Sequence, residues 1–239
     1  MTTGSVVPVT FGESKLPGFE MGDTSLPALI VIQEWWGVTD TIKTQAALLA
    51  AQGFRVLIPD LYKGKIGVNA EEASHMMGNL DFGNAVKEIG EAAAYLKDTG
   101  SPKVGITGFC MGGALTFAAA QHVPLLVAAA PCYGIPDARY FQVESIKIPL
   151  LGTFGGRDTH TGFADPAAAS AVEQKIKAAG GNIDMRIFPS APHGFLNQIT
   201  GSEGIERVKK LNKGVTADEE DLQAAWSRLI AFFKLHLQS

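Results

Sequence analysis

Gly108-Phe109-Cys110-Met111-Gly112 sets a thiol between two glycines, and an acid and an imidazole, Asp158 and His193, follow it in the chain. The five residues have the spacing of the nucleophile elbow G-x-S-x-G, with sulfur where that motif usually has oxygen. A buried strand, Val104 to Thr107, leads into them, and a small-residue helix follows. A strand that reverses sharply into a helix leaves no room for side chains beside the apex, which accounts for the glycines. The apex thiol then stands at a helix N-terminus, where unpaired N–H groups and the helix dipole favour a thiolate and a developing oxyanion. A structural cysteine in a glycine-rich turn would show the same five residues, so the decision rests on partners elsewhere.

In a hydrolytic elbow those partners come in the order nucleophile, acid, histidine, each after a later strand. Asp158 follows the strand Pro149 to Phe154 through Gly155-Gly156-Arg157, and His193 follows Ile183 to Phe188 through Pro189-Ser190-Ala191-Pro192. Asp165, the rival acid, reads as the cap of the helix that starts at Pro166. His160, the rival base, lies too close to Asp158 to reach it from a separate loop, and His75, His122 and His236 fall on helices or their ends as surface residues. Cys132 has no glycine elbow and is read as a small buried hydrophobe. Glu34 ends the apolar strand Ala28 to Gln33 and precedes Trp35-Trp36-Gly37, a carboxylate with two aromatics at a strand's carboxyl edge. On the local pattern alone, a pocket carboxylate and a solvated loop carboxylate are equal readings of Glu34.

The elements that must position these groups alternate. Short apolar runs of strand type lie at Ala28 to Gln33, Phe54 to Ile58, Lys103 to Thr107, Leu125 to Ala130, Leu150 to Phe154 and Ile183 to Phe188, and most are apolar at consecutive positions, as parallel strands buried on both faces are. Helical spacing fills the gaps, from Thr39 or Asp40 to Ala51, over Asn84 to Lys97, Met111 to Gln121 and Pro166 to Ala179, and finally over Asp218 to Leu237. An α/β fold follows, with an open, mostly parallel sheet, helices on both faces and its chemistry at the carboxyl ends of the strands. The segment up to about Ser25 reads as an edge hairpin, and Gly194 to Gly214 as a long polar connection bordering a pocket.

Composition narrows the function classes. With 239 residues, 46% hydrophobic and 18% charged, residues 1–239 suit a single domain with one substantial core. A formal charge of -4 without a clustered Lys/Arg face argues against nucleic acid as a partner. No apolar run is long enough to span a bilayer, and Met1 to Ser5 lacks the blocks of a signal peptide, so the expected address is the cytoplasm. Two cysteines without C-x-x-C spacing make a disulfide scaffold or a zinc site a poor reading, and neither metal nor cofactor is expected.

Taken together, Gln33-Glu34-Trp35-Trp36-Gly37, Pro59-Asp60-Leu61-Tyr62, the cysteine elbow with Gly113, Gly155-Gly156-Arg157-Asp158 and His193-Gly194-Phe195 resemble the dienelactone hydrolase (carboxymethylenebutenolidase) family of the α/β-hydrolase fold. The resemblance covers nearly the whole chain. It implies Cys110 as nucleophile, His193 as base or acid, Asp158 as the orienting partner, and Glu34 as the group that bonds the resting thiol and helps deprotonate it when substrate enters. It also implies an oxyanion hole from the backbone N–H groups of Met111 and Trp35. The expected substrate pocket is Trp36, Phe195 and Asn197.

The function expected from these residues is cofactor-free hydrolysis of small lactones, enol esters or related activated esters through an acyl-thioester, by a monomer or weak dimer acting on a small molecule. The competing reading is a redox-responsive or binding protein with a reactive elbow cysteine and no turnover. One departure bears on substrate: the two regions where family members carry carboxylate-binding arginines have none here, since no arginine lies between Arg55 and Arg139 or directly after His193. Neutral lactones and esters are therefore expected to be preferred.

Overall fold

The structure, a computed structural model, describes residues 6–239; the expectation for Met1 to Ser5 lies outside them. The chain opens with a hairpin, β1 (Val7–Phe11) and β2 (Leu16–Met21), whose register pairs Phe11 with Leu16 across a four-residue turn. The edge hairpin expected before Ser25 is therefore present. Six strands follow: β3 (Ala28–Ile32), β4 (Arg55–Pro59), β5 (Val104–Phe109), β6 (Leu126–Cys132), β7 (Leu150–Gly155) and β8 (Ile183–Phe188). Every residue of β3, β4 and β5 is buried, as two-faced parallel strands require.

All eight join in one sheet in the order β1-β2-β4-β3-β5-β6-β7-β8, antiparallel only at β1 and β2. From β3 the chain turns to β4 on one side, and β5 then pairs on the other side of β3. Connections leaving β3 and β5 diverge there and open a crevice at their carboxyl ends.

The helices are α1 (Asp40–Ala50), α2 (Ala70–Gly78), α3 (Phe82–Asp98), α4 (Met111–His122), α5 (Pro166–Ala178), α6 (Ser202–Leu211) and α7 (Glu219–Leu237). On one side of the sheet α3 packs on α4, and both reach β3 and β5. Elsewhere α1 and α7 meet around a 3-10 turn, Phe195–Thr200, on which α6 also sits. Asp165 caps α5, its carboxylate accepting from the Ala168 N–H at 3.4 Å, as its position before Pro166 suggested.

Two helices were not expected. Only Ala73 of α2 is buried, so the helix has no apolar stripe to announce it. The second, α6, lies inside the segment expected to be an irregular connection, although Ile205, Val208 and Leu211 recur at three-residue intervals. Phe195 to Gln198 are buried, so the start of that connection belongs to the core.

Candidate active site

Five strand ends converge on the crevice. Glu34 and Trp35 leave β3, Cys110 leaves β5, Tyr133 leaves β6, Asp158 follows β7 and His193 follows β8. The elbow is as tight as its glycines require: a Cβ on Gly108 would run into the carbonyl of Gly112, and one on Gly112 would lie 2.5 Å from the carbonyl of Ile32. Cys110 is thereby held at φ 57°, ψ −117°, a conformation that favours glycine and costs a side-chain-bearing residue about 1–3 kcal/mol. Its backbone N–H donates to the Cys132 carbonyl at 3.1 Å, tying the apex to β6.

The expected acid and imidazole are in contact. His193 Nδ1 lies 2.6 Å from Asp158 Oδ2, and both side chains are buried. Contrary to the sequence argument, His160 reaches the same carboxylate: its Nδ1 is 2.9 Å and its backbone N 3.0 Å from Oδ1. A turn that doubles back lets a side chain meet the residue two positions earlier, which sequence separation alone does not reveal. Burial would raise the Asp158 pKa, but the hydrogen bonds from His160 and His193 outweigh it and hold the carboxyl well below its ordinary range. Asp158, His160 and His193 bring ligand-type atoms within 4.8 Å of one another. Both carboxylate oxygens and both Nδ1 atoms of this cluster are engaged in hydrogen bonds with one another.

Glu34 is a buried pocket carboxylate. Burial raises its pKa, opposed by the Asn197 amide, which donates to Oε1 at 3.0 Å, and by the charges of His193 and Arg207. Asn197 in turn accepts from Gln45 Nε2 at 3.3 Å. The Cys110 thiol is not the thiolate that its helix N-terminus suggested. Burial and the nearby Glu34 charge push its pKa well up, and the Met111 and Trp35 backbone N–H groups only partly oppose them. The helix end is outweighed because the sulfur is desolvated beside a carboxylate. Cys132 is fully buried, and burial pushes its thiol up to about 12.

Cys110, Glu34, His160 and His193 line a cleft of about 330 Å³ whose apolar walls are Trp35, Trp36, Met77, Phe163 and Leu211. Trp36 thus stands where expected, but Phe195 and Asn197 do not line this cleft. Phe195 is fully buried against Tyr133 and Phe188, and Asn197 sits behind Glu34. The 3-10 turn aims both into the core. The walls from α2 and α6, Met77 and Leu211, were missed along with those helices. A larger groove, about 540 Å³ beside α3 and the 122–125 turn, offers Lys87 and His122 but no nucleophile.

An arginine does approach the cleft. The Arg207 guanidinium, carried by α6, lies 5.7 Å from the Trp36 ring centroid and acts electrostatically on Glu34. It stands fourteen residues after His193, past the stretch that directly follows the histidine. Tyr133, also unforeseen, packs its ring edge-on to His193 at 5.3 Å, and Asn212 holds the His193 carbonyl at 2.8 Å.

Among known proteins, one relative is the "Protein usf" of Aquifex pyrophilus, 29% identical over an alignment of 222 residues, with 88% of this chain and 89% of that protein covered. A protein of Aquifex aeolicus described as a candidate carboxymethylenebutenolidase is 28% identical, covering 89% of each chain. Among solved structures, a candidate dienelactone hydrolase from Klebsiella pneumoniae superposes with a TM-score of 0.78 at 22% identity, over 96% of this chain and 98% of that one. A dienelactone hydrolase-like promiscuous phosphotriesterase from metagenomic libraries gives 0.76 at 20% identity, over 97% and 98%. Residues 18–237 match the model of the dienelactone hydrolase family. With its eight-stranded sheet and a cysteine elbow at the crevice, this chain belongs to the dienelactone hydrolase family and is a hydrolase of the α/β-hydrolase fold.

Proposed function

We propose that the protein is a single catalytic domain that hydrolyses small lactones, enol esters and related activated esters, with Cys110 as nucleophile. The observation that carries this reading is the strained apex: Cys110 is held at φ 57° beside Glu34, under the influence of two backbone N–H groups from separate strand ends, in a cleft that also holds the His193–Asp158 pair. In the first half-reaction Glu34 takes the thiol proton and the sulfur attacks the carbonyl carbon. The Met111 and Trp35 N–H groups receive the oxyanion. The C–S bond then forms at the expense of the ester C–O bond, and the departing oxygen recovers the proton from Glu34. In the second half His193, oriented through Nδ1 by Asp158, takes a proton from water. Hydroxide adds to the thioester, the C–S bond breaks and the imidazolium returns the proton to sulfur. Thiolate leaves more readily than an amine does, so esters and lactones suit the site better than amides.

A protonated resting thiol also weighs against the redox-responsive alternative, because oxidation and alkylation follow thiolate character. Rapid quenching with an aryl ester tests the proposal. Mass mapping is expected to find the acyl group on the Cys110 peptide and none on the Cys132 peptide. Turnover without acylation at Cys110 would refute it.

Glu34→Gln keeps the Asn197 hydrogen bond but cannot take a proton, and single-turnover acylation is expected to slow by about 10²–10³-fold. Stability supplies a second reading of the same variant. The native Glu34 pKa lies above its unfolded value, so wild-type stability falls as pH rises between the two. The variant is therefore expected to match wild type below the ordinary carboxylate range and to be the more stable protein above the window, as thermal unfolding against pH would show.

The aromatic walls suit neutral substrates, as the sequence suggested, but Arg207, over the Trp36 ring, supplies a cation for a substrate carboxylate. Arg207→Gln is expected to raise KM for a carboxylate-bearing lactone by about tenfold while leaving kcat/KM for a neutral aryl ester within about twofold. Equal effects on both substrates would place Arg207 outside recognition.

A further inference from the structure

The Asp158 carboxylate carries two imidazoles. Oδ2 meets His193 Nδ1 at 2.6 Å and Oδ1 meets His160 Nδ1 at 2.9 Å, and the ring centroids lie only 4.1 Å apart. The hydrolytic reading above uses His193 and leaves His160 idle, although His160 forms part of the cleft wall and its side chain is 44% exposed. We propose that His160 is a positioning residue that shares Asp158 with His193, so that the pair carries at most one positive charge and His193 works as a base only while His160 is neutral.

One carboxylate can neutralise one imidazolium, and a second placed 4.1 Å from the first meets repulsion that the shared anion no longer offsets. Two groups so coupled take up protons as a pair. His160 is the more accessible of the two, and its hydrogen bond to Asp158 raises its pKa, so it readily takes up a proton as pH falls. When His193 must then accept a proton from water, it does so beside an existing cation.

The other carboxylates near the pair have partners of their own: Glu34 acts on His193 across the cleft, but it also accepts from Asn197 and lies in the field of Arg207. Asp165, at the start of α5, spends its carboxylate on the N–H groups of Gly162 and Ala168. Across the cleft stand Glu34 and Cys110, from the ends of β3 and β5, and Arg207 of α6 adds positive charge beside Glu34. Tyr133 from β6 presents a ring edge to His193.

This inference rests on His193 as the base of the proposed hydrolysis, and its test separates the two. In the Cys110→Ala protein, which needs no turnover, the Cε1–H NMR signals of His160 and His193 are followed from pH 4 to 9. Each ring is expected to show two inflections at shared pH values. A single inflection for His160 that leaves the His193 signal unmoved would overturn the proposal, whatever the enzyme hydrolyses. In turnover, His160→Gln is expected to move the acid limb of kcat/KM for a neutral aryl ester down by about one pH unit. An acid limb that stays in place or moves up would also overturn it, whereas absence of hydrolysis in wild type would strike the hydrolytic reading alone.

Discussion

Cys110→Ala is expected to lower kcat/KM for an aryl ester or lactone by about 10⁴-fold or more, because the whole covalent route is lost with the sulfur. Cys110→Gly should lose as much activity and yet unfold at a higher temperature than the alanine variant. Both remove the thiol, but only glycine relaxes at φ 57° and ψ −117°. Relief of a residue held in such a region is worth about 1–3 kcal/mol, which in a chain of this size moves Tm by several degrees. Calorimetry of the two variants side by side isolates the backbone contribution. Near-normal turnover by either would end the nucleophile assignment, and equal Tm values would show that the elbow stores no strain.

Asp158→Asn is the second severe change, and the hydrogen bonds say why. The backbone N–H of His160 donates to Oδ1, so the amide oxygen of asparagine takes that position and its NH₂ group turns toward His193. A donor facing Nδ1 forces that nitrogen to accept, which moves the ring proton to Nε2. His193 then presents a donor where the mechanism needs an acceptor, and kcat/KM is expected to fall by about 10³–10⁴-fold between pH 6 and 9. A loss below tenfold would mean that Asp158 does not set the tautomer.

Strand ends were legible in the sequence because a two-faced apolar run stops abruptly where chemistry begins. Cys110, Asp158, His193 and Glu34 could therefore be placed at one crevice from their position after β5, β7, β8 and β3. Residues on short turns were less legible, since spacing along a 3-10 turn does not say which side faces the core. Phe195 and Asn197 were lost in this way. His160 was set aside by a rule about separate loops, but a tight turn returns its side chain to Asp158. The state of the thiol was illegible for another reason: the elbow announces a helix N-terminus, whereas desolvation beside Glu34 depends on what covers the sulfur. Burial of that kind is a property of the assembled fold.

The cleft draws its floor and its walls from different sources. Its reactive groups sit on strand ends whose spacing is locked by main-chain contacts such as Gly112 against Ile32, whereas Met77, Phe163 and Leu211 come from α2, the loop before α5 and the end of α6. Substituting those three wall side chains would change which molecules fit while leaving His160 on Asp158 and Asn212 on the His193 carbonyl in place. The architecture therefore separates evolvability from chemistry: a lineage carrying this sheet can explore new substrates by drift in two helices and a loop, while the machinery that breaks the bond is inherited intact.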